Sequence, residues 1–223
     1  MKPEIVMLDF EHAAINAFGF HFPFAQIKAC FFHLGQSFYR RLCAEGLKEQ
    51  YKADLELKKW INKIICLALV PIDQVENCFM TLCENKPDYG DKIENFADYV
   101  LLNYINNEES NNYVFPLALW NHYDSEKRSN NDLEGYNSKL EKFLRSHPNV
   151  WVLINKIKAE ESTATLKYMR TTNATLAKRN RNTVDVERDL KIQTAKIDLL
   201  TNKITTMEFL DEDSEIVCNY DEL

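Results

Sequence analysis

Glycine and proline are scarce in this chain, 5 and 6 in 223 residues. So few turn formers exclude a turn-rich all-β fold and favour helices. Long apolar runs are missing too. The longest, Ile64 to Ile72, is far too short to cross a bilayer, and the opening Met-Lys-Pro-Glu lacks the apolar core of a signal peptide. The expectation is therefore a soluble intracellular chain with no membrane partner. Positive charge is the minority sign: 27 Lys and Arg stand against 34 Asp and Glu, for a net charge of -7. Nucleic-acid binders are usually basic, so any DNA contact must come from a local patch. Paired Cys-x-x-Cys or His-x-x-x-His spacings are also lacking. The 6 cysteines mostly sit in apolar helical runs and read as small hydrophobes.

What is present is core material, at 45% hydrophobic and 12% aromatic residues. Glu4 to Leu8 is a short apolar run closed by Asp9, and it reads as a buried strand. Ala13 to Phe18 reads as a short helix stopped by Phe22-Pro23, and Gln26 to Phe32 as a second strand. Strand, helix, strand predicts a parallel pair joined by a crossover. From Leu34 the apolar spacing becomes helical, over Leu34–Leu42, Leu55–Leu69, Ile72–Cys83 and Ile93–Tyr104, with Pro71 and Pro87 as punctuation. A further helix follows Asn130-Asn131 to about Leu144, and another runs from Pro148 to near Met169.

Lys167, Arg170, Lys178, Arg179 and Arg181 mark a basic linker. Beyond it Val186, Leu190, Ile197, Leu200, Ile204 and Met207 fall on a seven-residue pattern, interrupted by Gln193. About three heptads are near the minimum for a coiled coil, which would pair two copies of the chain; one amphipathic helix folded onto its own domain is the alternative. The acidic end, residues 208–223, reads as disordered.

Three constellations could carry chemistry. Asp9, with Glu11 beside it, follows a strand, a place that suits a metal ligand; it equally suits a residue that starts a turn or caps a helix. Cys30 and His33 have the spacing of half a zinc site, or are a buried thiol and the opening of a helix. Asn131 and Glu134 form a capping-box pattern, which competes with a functional role for Glu134.

Taken in order, Asp9-Phe10-Glu11-x-Ala13-x-x-Asn16-Ala17, Phe22-Pro23, Cys30-Phe31-Phe32-His33, Trp120-Asn121-x-Tyr123, Arg128-x-Asn130-Asn131-x-x-Glu134-Gly135 and His147-Pro148-Asn149-x-Trp151 resemble a Mutator-like element (MULE) transposase domain. The resemblance covers residues 4 to about 165. It implies an α/β, predominantly helical, truncated RNase H-like fold over residues 1–167 with a helical insertion over about 34–125. A linker over 168–182, a coiled-coil-like helix over 183–207 and the acidic tail would follow.

It implies further that Asp9 matches the second Asp of a DDE triad and Glu134 its Glu. Cys30 and His33 match the family's C-x-x-H pair, and Asn130 and Asn131 precede the Glu. Such enzymes hold two divalent ions, Mg²⁺ or Mn²⁺, about 3.5–4 Å apart to activate the nucleophile and stabilise the leaving oxygen during DNA strand cleavage. DNA as partner and a nuclear address are implied by the family alone. The chain departs from the family at its start: 8 residues precede Asp9, and none is an Asp. The expectation is a catalytically incomplete remnant with an open sheet edge. Two alternatives stay open: an active transposase whose upstream exon is missing, and a helical interaction module dimerising through its last helix.

Overall fold

The computed structural model describes residues 2–105, 114–125, 127–143, 149–172 and 183–216; for residues 131–134, 143 and 171–172 only the backbone course is described. Two strands, β1 (Ile5–Leu8) and β2 (Gln26–Ala29), form a parallel pair in the register Ile5 with Gln26 to Leu8 with Ala29. The crossover is helix α1 (His12–His21), longer than expected and stopped before Pro23, where the Phe22 N–H donates to the Phe18 carbonyl.

The second strand is shorter than its aromatic run suggests. Cys30 turns the chain, with φ -65° and ψ 128°, and helix α2 (Phe31–Ala44) begins at once. Phe31 and Phe32 therefore pack from the first turn of a helix, and His33 is a helical residue. The helical block continues through α3 (Lys48–Ala53), α4 (Leu55–Cys66), α5 (Val75–Glu84), α6 (Asp91–Val100) and the short α7 (Leu117–Trp120). Asp54 caps α4 by accepting the Glu56 N–H at 2.8 Å, an N-cap of the usual kind.

The chain divides into two units, residues 1–129 with 187–223, and residues 130–186. The first has an extensive core. Leu34, Phe38 and Leu42 of α2 meet Leu57, Ile61 and Ile64 of α4 and Phe96 of α6, all essentially sealed from solvent. Polar atoms in this core are tied down, as burial requires. Trp60 Nε1 donates to the Leu82 carbonyl at 2.8 Å, and Trp120 Nε1 reaches the Tyr104 and Phe115 carbonyls, each at 3.2 Å.

The second unit holds α8 (Asn131–Phe143) and α9 (Val150–Thr172). Lys139 of α8 and Lys156 of α9 both pair with Glu160, at 2.9 and 2.8 Å. These two ammonium groups, Lys156 first, hold the Glu160 carboxyl below its usual range. The apolar residues of α9 point outward, with Trp151 72% exposed.

The C-terminal part corrects two expectations. A continuous helix over 183–207 is not found: α10 (Thr183–Leu200) ends in a turn in which Asn202 takes φ 54°, a left-handed value. Helix α11 (Thr206–Ser214) follows. Ile204 therefore cannot continue the α10 seam; it lies in the turn, partly buried against the core. Residues 208–216 are not a disordered tail either. Thr205 and Glu208 form a capping box, and Phe209 and Leu210 are buried in the main core. The acidic composition misled because Phe209 and Leu210 are buried, with Asp213 beside them, while Glu208, Asp211 and Glu212 stay exposed. Residues 217–223, and 173–182 of the basic linker, lie outside the described residues.

Among the described residues no helix is long and apolar enough to cross a membrane.

Candidate functional site

A parallel strand pair puts both carboxyl ends at one edge, where open α/β sheets usually place ligands. Asp9 leaves β1 there, and Cys30 leaves β2 with its N–H donating to the Leu8 carbonyl at 2.8 Å. One helical turn later His33 brings Nδ1 within 3.1 Å of Asp9 Oδ1. Asp9 and His33, expected in two separate constellations, are thus in contact. The Asp9 side chain is 54% exposed and that of His33 21%, so the pair faces solvent. Cys30 is fully buried, which suits a packed thiol better than a metal ligand.

The Phe31 N–H donates to the Arg128 carbonyl at 2.7 Å, which brings the 127–129 segment to the same edge. The Arg128 guanidinium turns away to pair with Asp189 of α10. Behind the edge His122 is fully buried, with Nε2 2.7 Å from the Ala29 carbonyl. Burial lowers its pKa to about 4, so at neutral pH the ring is uncharged and donates from Nε2. Its role is to tie the 121–123 loop to β2, which Lys28 repeats by donating to the Ala118 and Asn121 carbonyls at 2.9 and 2.8 Å. In the motif run Trp120-Asn121-x-Tyr123, Trp120 is core, and Asn121 donates to the Val70 carbonyl at 2.9 Å.

Glu134 lies on α8, in the second unit, and its side chain is outside what is described, as is that of Asn131; Asn130 immediately precedes the helix. The proposed capping box at Asn131 and Glu134 is therefore also outside the description, as are His147 and Pro148. Asp9 and Glu134 are not brought together within either unit.

Among the described residues no group of three or more His, Cys, Asp or Glu side chains gathers closely enough to hold a metal. Hard divalent cations want several oxygen ligands. One carboxylate already engaged by an imidazole is not such a set, so Mg²⁺ or Mn²⁺ does not fit the residues described here. What the pair places at the open edge is a carboxylate with an imidazole beside it.

A groove of about 760 Å³ lies elsewhere, lined by His12 and Asn16 of α1, Gln26 and Ile27 of β2 and the 114–119 segment. The His12 ring stacks on Phe115 at 4.7 Å there. It does not include Asp9 or His33.

The polar residues that sequence reasoning passed over are Lys196 and Asp213. Lys196 donates to the His122 carbonyl at 3.0 Å and the Tyr123 carbonyl at 2.5 Å. Asp213 is fully buried on α11. Neither belongs to a motif; the only hint was a polar residue at helical spacing from apolar ones. Compared with known proteins, the chain matches no family model, no curated protein and no solved structure.

Proposed function

We propose that the chain is a transposon-derived remnant of an RNase H-like DDE transposase domain of the Mutator-like kind. Its ancestral role would be metal-dependent cleavage and transfer of DNA strands, and these residues alone do not complete that site. The observation that supports this most is the edge of the strand pair: the crossover delivers Asp9 to the end of β1, and His33, from the C-x-x-H pair, sits on the same carboxylate at 3.1 Å. Asp9 and His33, from two motif fragments and 24 positions apart in sequence, thus meet in space, as a shared ancestral site requires. The large helical block between the strands and α8, where the motif Glu134 lies, agrees with an inserted RNase H-like order.

DNA as a partner, Mg²⁺ or Mn²⁺ as ancestral cofactor and a nuclear address are parts of the same proposal and rest on the motif resemblance. The net charge of -7 works against tight DNA binding. Incubation of the purified chain with supercoiled plasmid and either cation tests the reading. No nicking is expected. Nicking that Asp9→Ala abolishes would overturn the incompleteness and favour an active enzyme that draws its remaining carboxylate from outside these residues.

A second reading is favoured by α10. Ile192, Ala195 and Leu199 face the core, while Val186, Leu190, Ile197 and Leu200 are exposed on the opposite side, Leu190 and Ile197 each at 57%. A helix apolar on two faces fits an interaction module that pairs with a second copy. Sedimentation of the chain and of Leu190→Glu/Ile197→Glu distinguishes the readings: a dimer lost in the variant supports pairing, and a monomer in both removes it.

A further inference from the structure

Helix α11 is fastened to α4 along its length. Phe209 and Leu210 fill the core. Asn62 of α4 donates to the Ser214 carbonyl at 3.0 Å. Lys63 pairs with Asp211, Lys59 with Glu215 at 3.2 Å, and the Thr206 hydroxyl bonds the Gln74 side chain.

Inside this contact Asp213 is fully buried, and among the described residues neither of its carboxyl oxygens has a hydrogen-bond partner. Buried carboxylates normally come with donors or a cation. The cations nearest to hand are committed elsewhere. Lys196 of α10 donates to two backbone carbonyls, and Arg128 pairs with Asp189. From α4, the buried Cys66 thiol is the other titratable neighbour, with Lys59 and Lys63 engaged at the rim. On α11 itself, Glu212 adds like charge, while Glu208, Asp211 and Glu215 are held by the cap or the rim lysines.

We propose that α11 is a pH-released clasp, docked on α4 while the Asp213 carboxyl carries its proton and loosened when that proton leaves. An ionised carboxylate sealed in this contact accepts no hydrogen bond from the described residues in place of water, whereas the undocked helix hydrates it. Burial pushes the Asp213 carboxyl up to about 7, against the pull of Lys196 and then Arg128. Its proton affinity is thus higher docked than released. Docking is firmest in the ordinary carboxylate range and below, and it weakens as pH rises to about 7. Lys196, which burial lowers to about 8, changes charge only above that window.

The test is amide hydrogen exchange of the full chain at pH 5.5 and 7.5, corrected for intrinsic rates, with the α2 and α4 amides as internal reference. Protection of the α11 amides relative to that reference is expected to fall roughly tenfold or more between the two values. In Asp213→Asn the fall should vanish. A carboxyl titration of Asp213 by carbon NMR on the unmodified chain keeps the proposal testable should that variant misfold: a midpoint near neutrality, tracking the loss of protection, supports it. Protection of α11 that does not change with pH, a fall that persists in Asp213→Asn, or a midpoint in the ordinary carboxylate range would each overturn it.

Discussion

Asp9 and Asp213 stand at opposite extremes of how a protein treats a carboxylate. Asp9, at the open end of β1, keeps 54% of its side chain in solvent and has an imidazole at 3.1 Å. Asp213, on α11, is fully buried with no hydrogen-bond partner among the described residues. The first lies in a recognisable motif and costs the fold little. The second lies in no motif and makes the fold sensitive to pH. Motif content is a matter of sequence resemblance; burial marks where a charge matters to stability. The two need not coincide.

The contrast is broken most forcefully at the clasp. If α11 is core and not tail, Phe209→Ala should destabilise the chain by about 3–5 kcal/mol, the usual range for a large buried aromatic, read as a drop in the denaturant midpoint. A loss below about 1 kcal/mol, the range of an ordinary surface change, would return α11 to the status of a loose appendage.

A pH profile sharpens it further. His122, lowered by burial to about 4, contributes stability that is whole above its ordinary value of 6.5 and is lost as pH falls to about 4. Asp213, raised by burial to about 7, contributes stability that is whole below its ordinary value of 3.8 and is lost as pH rises to about 7. Between pH 4 and 6.5 these two slopes oppose each other, so the unmodified chain should be nearly flat there. Asp213→Asn removes one slope. Its stability should then fall on acidification by roughly 3 kcal/mol across that window, measured by denaturant unfolding at a series of pH values. A flat profile in the variant would contradict the assignment.

The smallest effect belongs to Asp9. Asp9→Asn should change the unfolding free energy by less than about 1 kcal/mol, as for other exposed ion pairs. A larger loss would mean that the edge of the strand pair depends on this contact.

The sequence made some of this legible for physical reasons. Glu4–Leu8 read as a strand because a short apolar run closed by a polar residue leaves few other solutions, and Gln26–Phe32 because of its β-branched and aromatic content; the strands run over Ile5–Leu8 and Gln26–Ala29. The helical block read correctly because apolar spacing over many turns is the strongest local signal. Two features were hidden. The aromatic run Phe31-Phe32 carries β propensity, yet it opens α2 because tertiary packing outweighs it. Residues from 208 on looked like acidic tail because composition does not show that Phe209, Leu210 and Asp213 are buried together. For the candidate site, Asp9 and His33 were singled out separately, and their contact emerges only once the two strands lie parallel. No periodicity, by contrast, discloses a buried acid whose significance lies in the partners it lacks.

The ancestry proposal requires Asp9 and Glu134 to have belonged to one site, and that separation can be measured. Spin labels at positions 9 and 134, read by pulsed dipolar spectroscopy, test it most directly. The account predicts a single narrow population at the shortest separations the labels allow. A distribution centred near the width of a small domain, about 30 Å, would contradict it and leave Asp9 and His33 as a surface pair with no transposase past.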